Sequence, residues 1–360
     1  MTPLWRRILA VSFAVVPATA APAAGQGFTF VTPDSSAGIT LGGRVQTIFN
    51  TTSVDDEPAT ATELRRVRLE ATVQLNRVVG GKIQPEFAGS RFSLKDAYVR
   101  LSLDPALEVW AGQANRPFGV ITPMSSTRIL PIERGVRIRG VDDAFDQHNL
   151  ISELGYAERD VGIQLRGEPA GAPLGLSYAA GVFNGPARAR APEENTYQVV
   201  ARVAARPAGW ARVGVSYSRI DFANVVDDVA AVETSEGDAW AADVELGSGR
   251  GGLHVVGEVT TGDFDPFTDG RFFGAQGWVG YRTGRASSTI TALEPFLRVS
   301  HGDPDVDDEI LLDGTGGTLI TPGINLWLGG LNRFAVNYEI WNPASGETVR
   351  SFKAMFQMAF

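Results

Sequence analysis

The 360-residue chain contains no cysteine, only three lysines and only three histidines. Without thiols there are neither disulfides nor thiolate metal sites, so a protein of this size depends on a large core or on closure of a sheet. His148, His254 and His301 are scattered along the chain. His148 stands near Asp142, Asp143 and Asp146, but a single histidine among carboxylates is a poor metal set. Neither a G-x-S-x-G nucleophile turn, an H-E-x-x-H pair nor a phosphate-cradling glycine loop occurs, so no enzyme chemistry and no cofactor is expected. Long hydrophobic runs are missing as well. After the first two dozen residues nothing approaches the roughly 18 consecutive apolar residues that a membrane helix needs.

Residues 1–24 are of another kind. Arg6 and Arg7 precede the apolar run 8–16, and small residues follow through Ala18, Ala20, Ala21 and Ala23. Charge, length and cleavage chemistry predict a signal peptide, leaving residues 25–360 as one exported domain. Removing its two arginines takes the formal charge from −9 to −11, which makes nucleic acid a poor partner. Only helices and closed barrels satisfy the backbone in lipid. The mature chain is therefore either soluble after export or a β-barrel.

The pattern that is present decides for the barrel. At the chain end, residues 349–360, Phe352, Ala354, Phe356, Met358 and Phe360 fall on every second position, with Ser351, Lys353, Met355 and Gln357 between them. One face of such a strand is greasy and the other largely polar. Residues 64–76 do the same, with Val67, Leu69, Ala71, Val73 and Leu75 against Arg66, Arg68, Glu70, Thr72 and Gln74. Similar periods recur at 38–50, 93–103, 160–168, 196–206, 211–222, 253–262, 272–282, 289–300 and 333–341, for about sixteen strands of about ten residues. The connections alternate: short ones at 77–81, 104–105, 169–173, 207–209, 247–251, 284–288 and 329–330, and mostly long ones at 51–62, 116–157, 185–195, 223–236, 263–270 and 301–317. Short turns on the periplasmic side and long loops outside characterise transmembrane barrels, whereas a β-sandwich has no cause to sort its loops. Residues 89–91 are the exception, short where a long loop is due. Phe49, Trp210, Trp240, Tyr281, Trp327 and Trp341, near strand ends, are candidates for interfacial girdles or for ordinary cross-strand packing. Pro295 and Pro322 interrupt strands.

With the apolar face set to lipid, the lumen wall receives Arg44, Arg66, Arg68, Arg100, Arg166, Arg202 and Lys353, together with Arg206, Arg212, Arg282 and Arg298. Glu70, Glu86, Asp96, Glu108, Asp160, Asp243, Glu245, Glu258, Glu294 and Glu339 face the same way, and mutual pairing accounts for most of these charges. Residues 116–157 tip the balance locally. Arg116, Arg128, Arg134, Arg137 and Arg139 stand there against one acid, Glu133, among Pro117, Phe118, Pro123, Ile129, Leu130, Pro131 and Ile132. That mixture suits a third long loop folded into the lumen as a constriction, its guanidiniums offered to anions; an exposed external basic loop is the other reading. Acidic residues collect at 55–57, 193–194, 227–228, 263–269 and 303–309. The last run lacks the glycine and the final glutamate of a calcium loop, which leaves a solvated rim bridged through divalent ions to lipopolysaccharide and other anionic outer-membrane lipid.

LRRVRLEATVQL (64–75), LKDAYVRL (94–101), GQANRPFG (112–119), SSTRILPIERG (125–135) and GVFNG (181–185) together resemble the phosphate-selective porin O and P family. The resemblance implies a sixteen-stranded outer-membrane barrel of a Gram-negative bacterium, a homotrimer whose third loop narrows each pore. It also implies passage of phosphate, polyphosphate or other anions along a ladder of arginines and a cluster of lysines. The ladder maps onto Arg116, Arg128, Arg134, Arg137 and Arg139. The lysine cluster does not carry over, since only Lys82, Lys95 and Lys353 are present. The terminal strand ending at Phe360 is similar to the signal that such barrels show to their assembly machinery. The expectation is thus an outer-membrane porin passing small hydrophilic solutes with a leaning to anions, the alternatives being a mixed-selectivity porin or a plugged binding or adhesion barrel.

Overall fold

A computed structural model describes residues 27–54, 57–90, 92–134, 137–140, 148–185, 197–226, 231–247, 251–265, 270–303, 314–344 and 347–360. The expected leader lies outside the described residues, and the acidic stretches at 55–57, 193–194, 227–228, 263–269 and 303–309 lie wholly or partly outside them.

Sixteen antiparallel strands run in sequence order: Gly38–Val54, Glu57–Gln74, Val79–Glu86, Ser93–Asp104, Leu107–Asn115, Arg159–Gly167, Ser177–Phe183, Gln198–Ala208, Ala211–Val226, Ala231–Leu246, Gly252–Asp265, Gly270–Arg282, Ala292–Asp303, Gly317–Gly329, Asn332–Pro343 and Val349–Ala359. Each pairs with its neighbours in the chain, and the last closes on the first through Arg44–Ala359 to Ser53–Arg350. Closure satisfies every ladder and leaves no edge for lipid to meet. A short strand, Phe28–Val31, pairs with Leu41–Gly38 at the end of the first strand that the last one does not reach. Chain start and chain end thus form one composite stave, joined where Gly43 and Phe360 exchange two backbone hydrogen bonds of 3.0 and 3.1 Å.

The alternation is realised as a two-faced wall. Phe352, Phe356 and Met358 face outward and are exposed, while Ser351, Lys353, Met355 and Gln357 face inward and are buried. Leu69 and Val99 likewise face out, beside the inward Arg68 and Asp96.

Several expectations change. The hairpins expected as long loops at 51–62 and 223–236 are mostly strand, paired to Val54–Glu57 and Val226–Ala231. Above the bilayer a strand no longer needs an apolar outer face, so the backbone ladder outlasts the hydrophobic signal. Trp327 and Trp341 belong to no girdle. Each shares the parity of inward polar neighbours, Asn325 and Glu339, and each is buried in the interior. Phe49, Trp210, Trp240 and Tyr281 do face outward and are exposed. Pro322 lies within a strand whose pairing to the next skips from Ile320–Ile340 to Gly323–Asn337, the local gap that a residue without an N–H causes. The short turn at 89–91 is a single 3-10 turn, Ala88–Ser90.

Three apolar clusters fill the space between wall and third loop. Phe118, with Leu150, Ile151, Leu154 and Tyr156, packs on Val200, Ile220 and Phe272. Ile121, Ile129 and Leu130 pack on Val256, Trp278 and Phe296, and Ile132 on Ile48, Ala335 and Met355. The core of this protein is the underside of its own loop.

Candidate functional site: the lumen beneath the third loop

The loop leaves the fifth strand at Arg116, a buried side chain that donates to the Gln198 carboxamide oxygen and to the Ala157 carbonyl and lies 3.6 Å from Asp160. It then crosses the barrel interior, hydrogen-bonded at almost every step. The Gly119 N–H donates to Ser216 Oγ at 3.1 Å, and the Ile121 N–H to Glu258 Oε2 at 2.9 Å. Arg44 donates to the Ser125 and Ser126 hydroxyls, both at 3.0 Å. Arg333, with no exposed surface, donates to the Ile129 carbonyl at 2.8 Å, and Arg298 to the Glu133 carbonyl at 2.9 Å. The Glu133 carboxylate receives Arg65 at 2.6 Å and Arg66 at 3.0 Å. A buried loop must find partners for its backbone, and here polar and charged wall residues supply them.

This accounts for most of the wall charges nominated from sequence. Arg44 and Arg66 hold the loop. Arg68 pairs with Glu86, and Arg100 donates to Gln74 Oε1 at 2.5 Å. Arg202 is 2.8 Å from Asp243, and Lys353 is 2.8 Å from Glu339, which Arg298 also reaches at 3.3 Å. Arg166 has another setting. It donates to Gln164 Oε1 at 2.9 Å and lies 4.5 Å above the Trp110 ring, which also stacks on Tyr98 at 4.4 Å. No carboxylate contacts it among the described residues.

The loop arginines separate rather than cluster. Arg116 is spent on local bonds. Arg134 turns to the Met124 carbonyl at 2.7 Å; burial, and after it the nearby Arg66, Arg159 and Arg68, draw its guanidinium down to about 9, still charged at neutral pH. Arg137 and Arg139 stand on a short strand, Arg137–Gly140, paired with His148–Asn149 and Gly314–Thr315, and their side chains lie outside the described residues. Of the three loop arginines whose side chains are described, Arg128 alone stands open: it is exposed, and its side chain has no hydrogen-bond or ion-pair partner among the described residues.

Below the loop, towards the short turns, the lumen is open in two cavities that share Met124 and Glu245. One, of about 550 Å³, is bounded by Glu108, Arg166, Arg202 and Arg212; the other, of about 610 Å³, by Arg128, His254, Arg282 and Glu294. Arg212 pairs with Glu245 at 3.5 Å, and Arg282 lies 4.2 Å over Trp327, whose indole N–H donates to Glu294 at 2.6 Å. Sequence reasoning missed Arg333, Trp110, Trp278, Trp327 and the neutral partners Gln46, Gln198, Ser216 and Asn325. Parity along their strands places them inward; what parity lacks is the path of the loop.

A family model for phosphate-selective porin O and P matches residues 39–286. A search among curated protein sequences finds no match. Among solved structures, the outer membrane channel DcaP of Acinetobacter baumannii is similar with a TM-score of 0.63 at 12% identity, covering 93% of this chain and 100% of that one. OprB of Pseudomonas putida, in its high-pH structure, gives 0.60 at 11%, with 91% and 95% covered. The in-vitro folded trimer form of the outer membrane protein OmpT of Vibrio cholerae gives 0.53 at 11%, with 89% and 99% covered. Identities this low show the shared fold alone. The family match, spanning more than two thirds of the sequence, shows more: this protein is an outer-membrane β-barrel channel of a Gram-negative bacterium and belongs to the phosphate-selective porin O and P family.

Proposed function

We propose that the barrel is a passive diffusion pore for small hydrophilic solutes with a leaning to anions such as phosphate or polyphosphate, and that it works as a homotrimer. The observation that carries the anion leaning is Arg128, an uncompensated guanidinium bordering the 610 Å³ cavity, where fork geometry suits phosphate and carboxylate alike. Arg166, half-buried over Trp110 and bonded to Gln164, adds a second cation at the neighbouring cavity. In this reading Arg116 and Arg134 brace the constriction, Arg137 and Arg139 stand nearer its outer mouth, and the remaining wall charges fix the loop. Trimeric assembly is supported by the family and by the trimer form of one structural relative.

A mixed-selectivity pore is the second reading, favoured by the pairing of Arg202 with Asp243 and of Arg212 with Glu245, which cancels charge along the same passage. Reversal potentials of the purified full chain in a planar bilayer under a potassium chloride gradient separate the two. The anion reading expects chloride to permeate several-fold better than potassium, with phosphate lowering the chloride current. Equal permeabilities select the mixed pore, and a folded barrel without conductance selects a plugged binding barrel.

A further inference from the structure

A pore shaped for inorganic phosphate alone has no use for apolar surface, yet the passage beneath the loop mixes apolar side chains with its charged ones. Met124 projects between the two cavities and borders both. Leu130, Val256, Trp278, Trp327 and Leu331 continue the apolar lining of the larger one. Arg128 stands at that same lining with a free guanidinium, and the 610 Å³ available there exceeds what a phosphate ion fills many times over. Sites for organic ligands join apolar wall to placed polar groups that fix orientation, and this cavity sets its apolar side chains among Arg128, His254, Arg282 and the carboxylates Glu245 and Glu294.

Resting on the anion reading above, we infer that the preferred solute is an organic anion that couples one acid group to an apolar body, an aromatic or short aliphatic carboxylate, with the acid on Arg128 and the body against Met124, Leu130 and Trp278. The charge requirement and the apolar requirement come from different residues and are separable. A guanidinium meets a carboxylate in two parallel hydrogen bonds, which gives orientation as well as attraction. The body of the solute releases water from the half-buried Met124, a gain that phosphate cannot make. On the far side of Met124, Arg166 offers a second cation beside Glu108, so the anion is handed across rather than trapped.

The test uses the purified full-length chain in planar bilayers, its fold checked by heat-modifiable migration, with benzoate and inorganic phosphate as probes. At mildly acidic pH both are mainly monoanions. Benzoate is expected to halve the chloride current at a concentration about tenfold below that of phosphate. Arg128→Gln is expected to weaken block by both probes, and Met124→Ser to weaken block by benzoate several-fold while leaving phosphate unchanged. Equal potency of the two probes, no block by benzoate, or an equal effect of Met124→Ser on both overturns the organic-anion inference while leaving an anion pore. Block unaffected by Arg128→Gln overturns the placement of the acid. Preference for potassium over chloride in the unaltered protein is the separate result that removes the anion reading itself.

Discussion

Glu258, on the inner wall of the eleventh strand, accepts the backbone N–H of Ile121 from the third loop at 2.9 Å, and the same carboxylate oxygen accepts the N–H of Val120. Its other oxygen receives the Gln276 amide at 3.1 Å. One buried acid therefore clamps the first crossing of the loop. Hydrogen bonds to a charged acceptor contribute about 1.5–3 kcal/mol each. Glu258→Gln is expected to loosen that crossing without disturbing the barrel. Single-channel records should show more frequent brief current transitions at unchanged heat-modifiability; records as quiet as those of the parent protein would assign the clamp to other contacts.

Gly119 sits beside this clamp with φ +65°, and a Cβ there would lie 2.3 Å from Glu258 Oε2. Both backbone conformation and space exclude a side chain. Gly119→Ala should therefore reproduce the loosened gating of Glu258→Gln and cost about 1–3 kcal/mol. The double variant should add little to either single one, since both break the same contact.

Arg333 and Arg206 make opposite predictions about stability. Arg333 is fully buried and donates to the Ile129 carbonyl and to Asn325 Oδ1 at 3.1 Å, so Arg333→Met strands acceptors under the loop. A loss of about 2–4 kcal/mol is expected in urea titrations of the folded barrel. Arg206 is more than half exposed and meets Glu168 at 3.7 Å, so Arg206→Ala should stay within about 0.5 kcal/mol of the parent.

Deleting Phe360 removes the two hydrogen bonds with Gly43 and the 6.3 Å contact of its ring with Phe28. The composite stave then parts at its joint. The yield of heat-modifiable barrel in outer membranes should fall, whereas Phe360→Tyr, which keeps ring and backbone, should assemble as the parent does. Equal yields from deletion and parent would show that the joint does not matter for closure.

The sequence by itself determined the barrel. Lipid demands an apolar outer face, and the β-strand repeats every two residues, so alternation at residues 64–76 or 349–360 names the inward and outward sets without reference to any contact. Closure of the terminal strand on the first follows from the same demand, because an open edge has no partner in hydrocarbon. What alternation could not reach was everything set by the third loop. Arg116, Arg128 and Arg134 look alike in sequence, each a basic residue among prolines and isoleucines. Only the crossing of the loop over the wall buries Arg116 on Gln198, turns Arg134 to Met124 and leaves Arg128 open to a cavity. Likewise Arg44, Arg66, Arg298 and Arg333 became fasteners of the loop, because a backbone removed from water must be hydrogen-bonded by whatever faces it. Parity is local and can be read along the chain; the bonds of Arg44 to Ser125 and of Arg333 to Ile129 join residues 81 and 204 positions apart, and only the closed tertiary structure brings them into reach.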